Sequence, residues 1–244
     1  MKCLILASGF GTRLYPLTQN KAKALLEYKG KAIINHIVDK VPQDIDILVN
    51  INQKFEADFR YWQDSIGRAV TLCVEPVLTE EEAFGPVGSL DYWIRANNIT
   101  DDLLVIASDN YFEFDLSQFI GAYAGKHTLV AVYDIGDRSK SGQFGVVRLE
   151  GNRIIELVEK PTKPKSSLVA IACYIFPPRI FPLLFQCCTE GKRDNLGNFI
   201  SYLVKADQVN AYTFSDIWFD IGSLDVYKAL QQTGSAMPGN GQLS

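Results

Sequence analysis

Gly9, Gly11, Thr12 and Arg13 follow directly on a short apolar run, Lys2–Ala7, at the start of a 244-residue chain. Glycines let a backbone come close to an anion and aim N–H groups at it. A guanidinium beside them adds a planar cation matched to phosphate oxygens. Lys23 comes a little later, just before Ala24-Leu25-Leu26 resumes the apolar pattern. The residues alone leave several readings of this loop. A dinucleotide fingerprint needs a third glycine, and Leu14 stands in its place. A phosphate loop of the Walker type needs G-K-[ST], which the chain lacks. The plainest reading is a surface turn with a solvated arginine. Two later segments also carry chemistry-bearing types. Asp109 ends the run Ile106-Ala107-Ser108, where a turn residue or helix cap is the ordinary role. Glu159-Lys160-Pro161 closes the run Arg153–Val158, where a solvated charge pair before a turn is ordinary.

The elements that must position these residues follow from periodicity. Lys2–Ala7, Ile45–Asn50, Ala69–Val74 and Leu103–Ala107 read as strands. Between them lie helical stripes: Ile33, Ile34, Ile37, Val38 and Val41; Phe55, Phe59 and Trp62; Val87, Leu90, Trp93 and Ile94. Leu116, Phe119, Ile120 and Tyr123 form a further stripe. Strands alternating with helices imply crossover connections and a mainly parallel sheet. The first loop then leaves a strand at the carboxyl edge, where open α/β sheets bind ligands. The second half changes rhythm. Thr128–Tyr133, Phe144–Leu149, Arg153–Val158 and Ser167–Phe176 read as strands with few helices between, and Gly151-Asn152 marks a tight turn. Helices near Pro178–Gln186 and Gly197–Val204, a strand Val209–Phe214 and a helix Leu224–Gln231 complete the pattern. The expected fold is α/β and Rossmann-like, a mainly parallel to mixed sheet sandwiched by helices.

Composition narrows the function classes. Apolar residues make up 47%, enough for a sizeable core, and the net charge of −4 argues against a broad nucleic-acid-binding face. No apolar run reaches bilayer-spanning length, so no membrane association is expected. Five cysteines without a C-x-x-C spacing, three of them in apolar runs, point to free thiols and a cytoplasmic setting. Two histidines with no ligand spacing argue against zinc.

Gly9–Thr18 (G-F-G-T-R-L-Y-P-L-T), followed by K-A-L-L at Lys23–Leu26 and Gly30-Lys31, resembles the signature of the sugar-1-phosphate nucleotidyltransferases, most of all the glucose-1-phosphate thymidylyltransferase branch. The resemblance runs from Met1 to about Leu230. Ser108-Asp109-Asn110 is similar to the family's G-D-N, and Trp218-Phe219-Asp220-Ile221-Gly222-Ser223 to its W-x-D-x-G-T/S. Phe144-Gly145-Val146-Val147, Glu159-Lys160-Pro161, Ser167 and Tyr174 then follow in the family's order. The resemblance implies the nucleotide-diphospho-sugar transferase fold. It also implies transfer of a nucleoside monophosphate from an NTP, dTTP or UTP favoured, to a sugar 1-phosphate such as glucose 1-phosphate, with release of pyrophosphate. Asp109 and Asp220 are assigned by it to one Mg²⁺, an ion that two carboxylates suit when phosphate oxygens and waters complete its shell. Arg13, Lys23 and Lys160 become the catalytic cations. Ala7, Ser8, Gly9, Gly11, Thr12, Glu75 and Gly88 fall to the nucleotide. Asn110, Gly145, Glu159 and Tyr174 fall to the sugar.

The sequence departs from the family at several points. Ala22 stands where a proline usually precedes the lysine, Ser108 where a glycine does, and Ala172 where a glycine often lies near the sugar. Glu75-Pro76 replaces a glutamine-proline pair, which leaves the base open. Three rivals remain: a cytidylyltransferase for another phosphorylated small molecule, a catalytically silent binding or regulatory module on the same fold, and a nicotinamide dehydrogenase. One domain is expected over residues 1–232, with a nucleotide-binding core to about residue 125 and a sugar-phosphate part beyond it. The Gly-, Ser- and Pro-rich stretch 233–244 reads as a disordered tail.

Overall fold

The computed structural model describes residues 1–232, so the expected tail lies outside the described residues. In chain order the strands are β1 Lys2–Leu6, β2 Glu27–Tyr28, β3 Lys31–Ala32, β4 Asp46–Asn52, β5 Thr71–Glu75, β6 Leu103–Ala107, β7 Asn110–Phe112, β8 Thr128–Asp134, β9 Gly145–Glu150, β10 Arg153–Glu159, β11 Leu168–Phe176, β12 Val209–Phe214 and β13 Trp218–Asp220. The α-helices are α1 Ile33–Val38, α2 Glu56–Ser65, α3 Pro86–Ala96, α4 Leu116–Gly121, α5 Phe181–Thr189, α6 Leu196–Ala206 and α7 Leu224–Gln232. They gather into two compact units of interleaved sequence. An N-terminal unit takes Lys2–Ala83, Ile106–Glu113 and the chain from Ile217 on; a central unit takes Phe84–Val105 and Phe114–Asp216.

In the N-terminal unit, strands run in the order β5-β4-β1, all parallel. Cys3, Leu4 and Ile5 of β1 and Val49 and Ile51 of β4 are fully buried. That continuous apolar pattern is what a parallel strand covered on both faces requires. Asn52 caps the turn before α2 by accepting from the Phe55 N–H at 3.1 Å. Leu14, Leu26, Tyr28, Ile33, Tyr111, Ile221 and Leu230 make a separate apolar cluster in this unit, which anchors the loop after β1 and the first turn of α1. The short strands β7 and β13 pair antiparallel, with Asp220 opposite Asn110 and Trp218 opposite Phe112.

In the central unit, the sheet order is β6-β11-β8-β12-β10-β9. Here β12 is parallel to β8, whereas β11 runs antiparallel to β8, and β10 antiparallel to both β12 and β9. This is the mixed flank that the change of rhythm predicts. The β11–β8 register shifts between Ala170 and Tyr174. Ala172 sits at that bulge with φ 54°, a left-handed conformation in which a glycine carries no steric cost. Asn195 starts α6 by accepting from the Asn198 N–H at 3.1 Å. Among the described residues, no helix is long and apolar enough to cross a membrane.

Candidate active site

The loop after β1 is held in place by β4 and by Thr18. Asn50 and Asn52, both fully buried on β4, hold its base: the Ala7 N–H donates to Asn50 O at 2.8 Å and Asn52 Nδ2 to Ser8 O at 2.8 Å. Gly11 has φ 66°, and a Cβ there would lie 3.2 Å from both Lys23 Cβ and Thr18 Cγ2. Thr18 Oγ1 also donates to Gly11 O at 2.7 Å. Gly11 is therefore fixed as glycine by conformation and by space together. The N–H groups of Gly9, Phe10, Gly11 and Thr12 donate to no partner among the described residues. A row of unpaired N–H groups at the end of a strand is an anion cradle. Arg13 is exposed beside it and has no ion pair or hydrogen bond among the described residues.

Lys23 and Asp109 meet in the same unit, Nζ to Oδ2 at 2.9 Å. Burial pushes the Asp109 carboxyl up, but the Lys23 ammonium, its hydrogen bond and the Arg13 charge outweigh that and hold it below the ordinary carboxylate range. Asp220 is brought next to Asp109 by the β7–β13 pairing, and the Ile221 N–H donates to Asp109 O at 2.8 Å. Among the described residues, no three His, Cys, Asp or Glu side chains form a metal cage. A carboxylate pair that leaves other positions to phosphates and water is the donor set Mg²⁺ takes most readily.

Several expected residues stand differently from their predicted roles. Asn110, expected to bind sugar, is 3% exposed. Its Oδ1 accepts from Trp218 Nε1 at 2.7 Å, and its Nδ2 points to Ala107 O and Asp109 Oδ1 at 3.3 Å each. Its amide is bonded inside the protein on both sides, which speaks against a direct contact with the sugar. Glu75, expected at the nucleotide, is 1% exposed and accepts from Asn50 Nδ2 at 2.8 Å.

The other predicted residues lie in the central unit. Gly88 sits in the first turn of α3. The preceding Gly85 has φ 72°, and a Cβ there would fall 2.6 Å from Arg193 O. Glu159 ends β10, and its Oε1 accepts from Asn195 Nδ2 at 3.0 Å. Its Oε2 lies 3.0 Å from where a Gly145 Cβ would be and 2.1 Å from where a Gly197 Cβ would be. The carboxylate therefore needs both glycines to stand where it does. Lys160 has φ 44° and is exposed; its N–H is held by Phe144 O at 3.0 Å while its ammonium has no partner among the described residues. Tyr174, expected at the sugar, is 3% exposed and stacks on Phe176. Burial, with the Glu159 charge second, raises the pKa of its phenol, so it stays protonated. Asn195 and Gly197 were not singled out from the sequence. Their contact with Glu159 spans more than thirty residues, and no local pattern announces it.

Residues 2–235 match the nucleotidyl transferase family model. The chain belongs to the nucleotidyl transferase family. Within that family it is 33% identical over 228 residues to the bifunctional protein GlmU of Methanocaldococcus jannaschii, covering 91% of this chain and 51% of that protein. A Sulfolobus acidocaldarius protein provisionally assigned as a mannose-1-phosphate guanyltransferase is 27% identical over 232 residues, covering 91% of this chain and 60% of the relative. The nucleotidyl transferase chain thus spans about half to three fifths of the length of these relatives. Its fold matches a crystal structure from Bacillus anthracis, provisionally a glucose-1-phosphate thymidylyltransferase in complex with sucrose. The TM-score is 0.84 at 24% identity, covering 99% of this chain and 98% of that one.

Proposed function

We propose that this nucleotidyl transferase joins a nucleoside monophosphate from dTTP or UTP to glucose 1-phosphate or a close relative in the cytoplasm, releasing pyrophosphate. The observation that carries the reading is the row of unpaired N–H groups from Gly9 to Thr12 with the unpaired Arg13 beside it. The bond formed is between a phosphate oxygen of the sugar 1-phosphate and the α-phosphorus. The bond broken joins that phosphorus to the oxygen bridging to the β-phosphate. The attacking oxygen is already an anion, so no general base is needed, and catalysis consists of aligning two anions and offsetting their repulsion. The Gly9–Thr12 N–H groups cradle the triphosphate. Arg13 binds the departing pyrophosphate, and Lys23, already beside Asp109, binds oxygens of the α-phosphate and leaving group. Lys160 holds the sugar phosphate; Glu159 and the Gly145 backbone take sugar hydroxyls. Asp109 and Asp220 would hold Mg²⁺, which supplies positive charge against the phosphate oxygens.

A second reading of the base has its own observation. Glu75 is a buried carboxylate, which when ionised can only accept hydrogen bonds. Cytosine, adenine and guanine present amino donors that thymine and uracil lack. A matrix of NTPs against sugar 1-phosphates, read by pyrophosphate release, tests both readings. Fastest turnover with dTTP or UTP and glucose 1-phosphate is expected. Fastest turnover with CTP, ATP or GTP favours the Glu75 reading, and no release with any pair removes the reaction itself.

A further inference from the structure

The Asn110 amide has a set of partners inside the protein that together point at Asp109. Across the β7–β13 pair, Trp218 stands opposite Phe112 and Asp220 opposite Asn110, so the Trp218 indole reaches Asn110 along the diagonal. The contact is short, 2.7 Å from Nε1 to Oδ1, and both residues are buried, at 8% and 3% exposure. With Oδ1 taken by the indole, the Asn110 amide is oriented, and its Nδ2 must face the other way. There it meets Ala107 O and Asp109 Oδ1. The Asp109 carboxylate is then held on both oxygens, Oδ1 by Asn110 and Oδ2 by Lys23, while its main-chain carbonyl takes the Ile221 N–H. Ile221 follows Asp220 directly, so the backbone that carries one carboxylate also clamps the other. Gly222 completes the arrangement: a Cβ there would lie 2.9 Å from Asp220 Oδ2.

We propose that Asn110 and Trp218 are a positioning pair that sets the orientation of the Asp109 carboxylate for a divalent cation, and that neither contacts the sugar. The proposal rests on the reading of Asp109 and Asp220 as the Mg²⁺ ligands. Partners that orient a ligating carboxylate tune metal affinity without touching the metal, and their loss costs about 10- to 100-fold in affinity or activity.

The test uses the full chain, ¹⁵N-labelled, with MgCl₂ added to the protein alone. The backbone N–H resonance of Ile221 reports the binding curve, because that group donates to Asp109. Trp218→Phe removes the indole donor and keeps the aromatic packing; Asn110→Leu removes the amide at similar volume. Each is expected to raise the Mg²⁺ concentration at half-saturation by about tenfold or more. Steady-state kinetics on the same samples should show the same rise in Mg²⁺ requirement, with KM for the sugar 1-phosphate changed by no more than about twofold. If Asn110→Leu does not fold, Trp218→Phe carries the test alone, with its thermal melt as the control. An unchanged Mg²⁺ curve in a folded Trp218→Phe protein overturns the proposal. So does a selective rise in KM for the sugar phosphate, which would return Asn110 and Trp218 to the sugar. No Mg²⁺-dependent shift in the wild type removes the cation from this site. A wild type that binds Mg²⁺ yet releases no pyrophosphate with any substrate pair fails the proposed reaction, while the Mg²⁺ titration still decides the positioning pair.

Discussion

Ala22 shows what one residue's departure from a family pattern amounts to. It replaces the usual proline before Lys23, yet its backbone sits at φ −62° and ψ 137°, the angles a proline would impose. Ala22 holds a φ that a proline ring would fix, and it is buried at 1% exposure. Ala22→Pro should therefore raise stability by about 0.4–1 kcal/mol, through loss of freedom in the unfolded chain, and a thermal melt reads it. A fall in Tm would show that the buried position has no room for the ring. Arg13 is the opposite case: exposed, without a partner, and so of little use to stability. Arg13→Ala should leave Tm within about 2 °C, since surface changes away from caps and ion pairs sit within about 0.5 kcal/mol. Pyrophosphate release should fall on the order of 10²-fold, as for loss of one charge-stabilising donor. A normal rate with a lowered Tm would make Arg13 structural. Both residues were visible in the sequence because their types are unusual for their positions. Asn110 was visible too, but its type says nothing of where its amide points, and in the structure it turns to Trp218 and Asp109.

At the scale of elements, legibility followed length. The long strands and amphipathic helices stand within a few residues of their predicted bounds, because a run such as Leu103–Ala107 has no other use than a covered strand. The two- and three-residue strands β2, β3, β7 and β13 carry no period and were not predicted. Yet β7 and β13 pair Asp220 with Asn110, next to Asp109, so the element that matters most to the proposed cation site was the least readable. The same limit hid the seat of Glu159. Its carboxylate is fitted between the end of β10 and the first turn of α6, bonded by the Asn195 amide. Gly197→Ala would set a methyl carbon 2.1 Å from Glu159 Oε2, a distance no atom pair tolerates. The carboxylate, at the far end of a flexible side chain, must swing away from its place. If Glu159 reads a sugar hydroxyl, Gly197→Ala should raise KM for the sugar 1-phosphate at least about tenfold, an amount set by leaving a polar group of the substrate unpaired, and leave KM for the NTP within about twofold. Equal loss for both substrates would mean that the variant only loosens the fold.

For the molecule as a whole, the two units cannot be separated by cutting the chain once. The chain passes between them at 83/84, 105/106, 113/114 and 216/217, so each unit is assembled from segments far apart in sequence. We propose that residues 1–232 fold as one cooperative domain, since the chain between the segments of one unit is itself part of the other. The cysteines offer a direct measure, because none is in a disulfide, all five are buried and they are divided between the units: Cys3 and Cys73 in one, Cys173, Cys187 and Cys188 in the other. Burial also pushes the Cys3 thiol up to about 12 and Cys188 up to about 11. The thiolate is the reactive form, so burial both shields these thiols and disfavours the form that reacts. The native chain should therefore resist an aromatic disulfide reagent at pH 8, and labelling should require unfolding. Quenching the reaction across a urea series and mapping the modified peptides by mass spectrometry gives a midpoint for each cysteine. One shared midpoint is expected for Cys3, Cys73, Cys173, Cys187 and Cys188, within the roughly 10–15% that such transitions resolve. Two well-separated midpoints, one for Cys3 and Cys73 and one for the rest, would show that the units unfold independently despite their interleaved sequence.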